Sequence, residues 1–426
     1  MIVAPLVPNL PITHFVTLLL LILIISAVPG VRARAGKSIP FLAALALWLG
    51  WVAVCPSQTF DADVPLDRPS LIDLLTPAPA DDLWHYRADY LIWWLRDLPT
   101  PALVTTGPAG SQGIVGQPGT EILRGGDLPS RHGRYVGGRW SADGWLNRES
   151  NFGLDGSVFV LERDSSNITF PHTTSLLARP YIDANTGQQS SYVIAGFNPD
   201  FGNLRGSINV YSRIEFFGED VSIMYRWASG PSYQICFLLG AQFLQMRERL
   251  DVTASAFVLP AQSTLIGMAD HFQTFDRFYG CQMGSKGEWH FGRFSIEGKS
   301  TIALGSDDQI IAAKGDRNVH TPLSYTAQPY GLYVLPSNTG TTERAEPDFV
   351  TQTTVNVGFD LTRHIRLRGG YSLILWNNPV RPGDQIDAIN LTQVSGAPTG
   401  VDRPIIPFRT SFFWAQGVNA GAELHW

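Results

Sequence analysis

Few residues in this 426-residue chain are spaced to do chemistry. A Gly-x-Ser-x-Gly elbow, a His-Glu-x-x-His helix, a Gly-x-x-x-x-Gly-Lys loop and a Cys-x-x-Cys pair are all absent from the sequence, which removes the usual hydrolase, zinc-protease, phosphate-binding and thiol-redox signatures. Beyond residue 57 the histidines His85, His132, His172, His271, His290, His320, His364 and His425 stand singly. A lone histidine without a neighbouring nucleophile or second ligand is more often a loop, lumen or interface residue than a base or metal ligand. Asp270-His271 beside Asp276 comes nearest to a catalytic cluster, but no serine or cysteine is organised with it, and a polar loop entering a strand is the simpler reading. Cys236 and Cys281 could pair outside the cytoplasm, although no spacing demands it. No enzyme, cofactor or metal is expected.

Two sets of charges are better placed to act on a solute. Arg381, Asp384 and Asp387 fall in one segment and could form an eyelet or clamp, against the plainer reading of a turn built on Pro382-Gly383. Arg87, Asp89 and Glu423, with Arg213, Glu215, Arg366 and Arg368, alternate with apolar residues, so each would lie on one face of a strand. Charges of this kind are cheap facing a wet lumen and cost roughly 2–4 kcal/mol facing mid-membrane lipid.

The elements that would position them are strands. Charged residues make up 16% of the chain and apolar residues 44%, whereas soluble domains carry about 25% charge. The formal charge of −6 excludes a phosphate-binding basic surface and hence a nucleic-acid partner. From Phe412 to Trp426 the even positions Phe412, Trp414, Gln416, Val418, Ala420, Ala422, Leu424 and Trp426 are mostly apolar with aromatics at both ends, and the odd ones are small or polar. Trp84, Tyr86, Ala88, Tyr90, Ile92 and Trp94 repeat the pattern opposite His85, Arg87 and Asp89. Alternation over about nine to eleven residues, bracketed by aromatics, describes a strand with one face in lipid. A terminal aromatic such as Trp426 is also what the barrel-assembly machinery reads.

Further strands are expected near 131–142, 145–155, 205–217, 220–228, 233–246, 250–258, 276–284, 288–304, 349–361 and 364–377. Short connectors would lie at Asp143-Gly144, Gly218-Glu219, Arg247-Glu248-Arg249, Ser285-Lys286-Gly287 and Thr362-Arg363, with Ser229–Ser232 the one tight connector at the other end. The expectation is an all-β, antiparallel transmembrane β-barrel of about twelve strands, within a range of ten to sixteen, with short periplasmic turns and long external loops. The long segments 156–204 and 305–348 exceed ordinary loops and suit extra hairpins, plugs or caps.

Ahead of this, apolar runs at Phe15–Pro29 and Ile39–Cys55 flank the basic stretch Val31–Lys37. The second run with its basic preface has the layout of an export signal, residues 1–57 with cleavage after Ser57. A short anchor over Ile39–Cys55 is the alternative, and the lipoprotein-like Val52–Cys55 fits its box badly. Residues 1–30 are read as an unusual leader or, preferably, as a start assigned too early; residues 58–82, rich in Pro and Asp, as a flexible periplasmic lead-in; and 83–426 as the barrel.

Several motifs from Tyr86 to Trp426 resemble a family of β-barrel porins described mainly from planctomycete bacteria. They are Tyr90–Leu95, Leu103–Gly107, Ala178–Tyr181, Phe275–Gly280, Leu335–Gly340, Gly370-Tyr371 with Leu375-Trp376, Val380–Asp387 and Phe413–Gly417. The resemblance implies an outer-membrane barrel and supplies no catalytic residue. The resulting expectation is a passive channel for small hydrophilic solutes in the cell outer membrane, touching lipid and the assembly machinery. A non-conducting structural or adhesive surface protein is the alternative, and a secreted β-sandwich follows it. Oligomeric state has no sequence signal here.

Overall fold

The computed structural model describes residues 83–129, 133–146, 151–260, 264–394 and 399–425. The expected signal (1–57), lead-in (58–82) and terminal Trp426 lie outside them. The described residues form sixteen strands and three short 3-10 turns. The strands are β1 (Trp84–Leu95), β2 (Leu98–Thr106), β3 (Glu121–Leu128), β4 (Tyr135–Trp145), β5 (Phe152–Leu161), β6 (Asp164–Thr173), β7 (Leu177–Ile182) and β8 (Gln189–Asn198). They continue with β9 (Gly202–Gly230), β10 (Tyr233–Val258), β11 (Leu265–Phe291), β12 (Phe294–His320), β13 (Tyr325–Gln328), β14 (Gly340–Asp360), β15 (Ile365–Trp376) and β16 (Phe413–His425).

Ten of these pair antiparallel in the order β9-β10-β11-β12-β14-β15-β16-β1-β4-β5, and β5 pairs in turn with β9. Each member therefore has two neighbours, and the ring leaves no open edge of the kind that invites mispairing. Partners followed from Tyr90 one way round, through Gly138, Val160 and Phe217, reach β10 at Gln245. The other way, through Ala420, Gly369, Val357, Ile296 and Trp289, they reach Tyr233, twelve residues away. Such a stagger on ten strands requires a tilt of roughly 40°.

The ring's connectors sort by length onto its two ends. At one end lie Pro231-Ser232, Gly292-Arg293, 146–151 and 361–364, together with the start of β1 and the end of β16. Gly292, at φ +64°, takes the left-handed position that its two-residue turn needs. At the other end lie 96–134, 162–201, 259–264, 321–339 and 377–412, the first two holding β2–β3 and β6–β8. Here β9, β10, β11 and β12 run to 26–29 residues, well past the length of β1 or β16, and carry a cap in which β2 pairs β3 and β7, and β8 pairs β7 and β9.

Three expected turns were not turns. Gly218-Glu219, Arg247–Arg249 and Ser285–Gly287 lie inside β9, β10 and β11, so 205–217 and 220–228 are one strand, 233–246 and 250–258 another, and 276–284 runs on in β11, while the expected strand 288–304 is broken by the Gly292-Arg293 turn between β11 and β12. Asp143-Gly144 likewise belongs to β4, and 305–348 continues the β12–β14 ladder out to Ala313↔Gly340. Among the charges of the three expected turns only Glu248 and Lys286 are buried inward, where a charge with a partner needs no bend, while Glu219, Arg247 and Arg249 keep the alternation of the strand on its outer face. Gly218 is small because of its surroundings, since a Cβ there would meet Phe159 and Leu244 at 2.3 and 2.5 Å. The expected count of about twelve falls between the ten strands of the ring and the sixteen of the whole sheet.

The expected faces of β1 and β16 are the observed ones. Tyr86, Tyr90, Trp94, Val418 and Leu424 are exposed outward, and Arg87, Asp89, Leu91, Trp93, Asn419 and Glu423 are buried inward. Val418→Arg should therefore impair assembly by about 2–4 kcal/mol, read as the folded fraction in lipid vesicles. The inward neighbour, Asn419, would be expected to tolerate Arg if it faced a wet lumen, but it is buried and donates to Asn356 Oδ1 at 3.0 Å. Asn419→Arg should assemble poorly too, and normal assembly of Val418→Arg would overturn the register.

Candidate functional site

The inward positions of the ring carry two stacked layers, and alternation along every strand decides which residues enter them. Nearer the short-turn end is a layer of charge. Arg87 on β1 donates from Nε to Glu423 Oε2 at 2.8 Å, reaches Glu297 Oε2 at 3.1 Å, and also bonds Asp143. Arg368 joins Glu297, Glu423 and Asp89 at 3.2–3.4 Å. Arg139 grips Asp89 Oδ2 with Nε and one terminal nitrogen, at 3.0 and 2.8 Å. Lys286 bridges Asp143 (2.8 Å) and Asp155 (3.1 Å), and Lys299 bridges Asp155 and Asp220 (2.8 Å). Arg366 takes Glu288 and Asp360, both at 2.6 Å, and touches Glu423 at 3.4 Å.

Many of these bonds cross the ring. Arg87 on β1 and Glu297 on β12 are four strands apart, as are Lys299 on β12 and Asp155 on β5. In a ring of ten that is nearly diametric, so the side chains fill the lumen at this level.

Toward the cap the second layer is aromatic and apolar: Leu91, Trp93, Phe159, Phe216, Met246, Phe278, Trp376 and Phe413 are all buried. Phe216 of β9 packs on Phe413 of β16 at a ring separation of 5.3 Å, and Phe278 of β11 on Trp376 of β15 at 6.3 Å. These pairs also span non-neighbouring strands, and edge-on contacts at such distances are favourable.

The sequence-predicted residues divide accordingly. Arg87, Asp89 and Glu423 converge in the charged layer, while Arg381, Asp384 and Asp387 form no joint eyelet. Arg381 is buried with its guanidinium on Glu248 (Nε to Oε2, 2.7 Å) and over the Phe413 ring. Asp384 sits in the Pro382–Gln385 turn, and Asp387 ties Arg403 (2.7 Å) and Arg409 (3.1 Å) within the same loop. Arg213 and Glu215 are inward neither to the lumen nor to each other's strand partner, but pair together on the outer face with Arg163. Trp84, Trp94 and Trp414 stand on the outer face toward the ends of their strands, Tyr90 stands mid-strand, and Phe412 immediately precedes β16.

The catalytic candidate separates. Asp270 points inward to Arg179, whereas His271 points outward to Asp251 at 2.8 Å, a bond that raises the imidazole above its usual pKa. Asp276 lies lower on the inner face, where it accepts from Val380 N–H at 2.8 Å. The two cysteines are free, Cys236 facing inward and Cys281 outward, so the possible disulfide does not form.

Sequence reading missed Asp143, Asp155, Asp220, Lys286, Glu297 and Lys299. Asp143 and Lys286 had been absorbed into supposed turns. The available signal was that each occurs two or four residues from another inward position.

A family model described as putative beta barrel porin-7 matches residues 85–426. The chain belongs to that family. Family membership makes this an outer-membrane β-barrel, and its location is the outer membrane. Comparison with curated proteins finds no match. Among solved structures, the outer membrane protease OmpT from Escherichia coli is similar at 8% identity and TM-score 0.36, covering 81% of this chain and 97% of its own. A FadL homologue from Pseudomonas aeruginosa is similar at 9% and 0.25, covering 80% and 90%, and the Pseudomonas putida toluene transporter TodX at 8% and 0.14, covering 83% and 93%. Such distant likenesses add nothing to what the pairings already establish for this barrel porin-7 member.

Proposed function

We propose that this protein is a structural or surface-contact barrel that does not conduct in its resting state. The cross-lumen ion pairs and the aromatic layer above them carry that reading, because a solute would have to displace both. Small barrels fill with side chains, and an aqueous channel needs a wider ring. The outer faces of Trp84, Tyr90, Trp94, Phe412 and Trp414 would meet lipid, and the amphipathic strand β16 would be what the assembly machinery engages. The cap would make the external contacts: Phe197, Leu323 and Tyr325 are exposed there, Leu323 at 98%.

Passive passage of small hydrophilic solutes is the second reading. The family's description as a porin favours it, as does the lower layer, whose charges hydrate readily once parted. Planar-bilayer recording separates the two. The first reading expects no steady conductance from the wild type and measurable openings from a Trp93→Ala, Trp376→Ala double variant. Steady wild-type conductance, unchanged in that variant, would make the channel reading the right one.

A further inference from the structure

We propose that His85, Glu423 and His425 bind one divalent transition-metal ion, of zinc-like preference, at the short-turn mouth of the barrel. In sequence these residues look unrelated. Pairing makes them neighbours: His85 on β1 stands directly opposite His425 on β16, and Glu423 precedes His425 by two residues and so shares its inward face. One ligand atom from each falls within 4.8 Å of the others. His425 Nε2 is already 3.0 Å from Glu423 Oε1, and the two imidazole rings are 4.8 Å apart. Two nitrogens and one carboxylate oxygen, with a position left for water, are a donor set that suits zinc at bond lengths of about 2.0–2.2 Å. Small side-chain rotations bring the three atoms to that reach.

Three further observations support an ion there. The Glu423 oxygens are divided: Oε2 is held by Arg87 and Arg368, while Oε1 faces the histidine, with Arg366 at 3.4 Å. Asp143 Oδ2 lies 3.5 Å from His85 Nδ1, which leaves Nε2 for a metal and supplies the carboxylate that commonly orients a ligating imidazole. The charged layer also joins six cations (Arg87, Arg139, Lys286, Lys299, Arg366, Arg368) to eight carboxylates, a surplus of two negative charges that a dication matches. Both histidines are partly accessible, at 22% and 11% side-chain exposure, so an ion can arrive from the mouth. Bound there, it would clip the first strand of the ring to the last.

The test uses the full folded chain in detergent, stripped with chelator and titrated with Zn2+ against a fluorescent competitor. One ion per chain is expected, with binding weakened about tenfold or more by His85→Ala and by His425→Ala, and unchanged by His320→Ala at the far end of β12. Zn2+ should raise the temperature at which the folded gel band is lost in the wild type and in His320→Ala, but in neither His85→Ala nor His425→Ala. Should either variant fail to fold, wild-type protein treated with diethylpyrocarbonate should show Zn2+ protection at His85 and His425 but not at His320. Absence of stoichiometric binding, equal weakening by His320→Ala, or absence of protection would each overturn the site and leave the histidines as hydrogen-bonding members of the ion network.

Discussion

Arg87→Ala should destabilise the folded barrel by about 3–5 kcal/mol, the range for removing one partner of a buried ion pair. Arg87 is the shared cation of Asp143, Glu297 and Glu423, and its side chain and theirs are all largely or fully buried. Its loss strands negative charge where water cannot follow. The comparison is Arg249→Ala, which breaks a pair with Asp251 whose arginine is 45% exposed and should change stability by less than about 1 kcal/mol. The measurement is the denaturant midpoint of the gel-mobility shift for both variants in the same detergent. Equal small effects would mean that the interior around Arg87 is wet, and the non-conducting reading would fall with them.

Asp270→Ala should release the cap and spare the wall. Asp270 is fully buried, accepts from Leu332, Tyr333 and Val334 N–H at 2.8–3.1 Å, and pairs with Arg179 at 2.6 Å. Arg179 in turn lies over the Tyr333 ring, whose hydroxyl donates to Pro180 O at 3.0 Å. One carboxylate thus holds the 321–339 segment and β7 to β11. Removing it leaves a buried guanidinium and three backbone donors unpaired, a loss again of about 3–5 kcal/mol. Limited proteolysis should then cut within 162–201 and 321–339 at rates far above the wild type, while the folded gel band persists. Loss of the folded band without cap cleavage would show that cap and wall form one cooperative unit.

The wall was legible because a face held in lipid is under a simple constraint: Trp84 to Trp94 and Trp414 to Leu424 alternate, and the structure keeps that register. The lumen was harder to read. Asp143 and Lys286 sit beside Gly144 and Gly287, Asp220 follows Gly218 by two residues, and glycine close to charge is the ordinary mark of a turn. Here Gly144 and Gly218 relieve crowding against Trp84 and against Phe159 and Leu244, and the charges meet partners across the ring. Nothing local reports a partner such as Glu297 for Arg87, 210 positions on in the chain. The same holds for His85 and His425, which only the pairing of β1 with β16 brings together. The cap was anticipated as extra structure in the two overlong segments, but its anchor at Asp270 depends on backbone donors that carry no side-chain signature.

The pairing of β1 with β16 also sets a timetable. The Arg87–Glu423 bond joins residues 336 positions apart, so during synthesis β1 waits for nearly the whole ring to be made before its second neighbour exists. Until then it presents a bare edge and half of an unmatched charge network, and the nascent chain has reason to be kept unfolded until it can be delivered to the membrane entire.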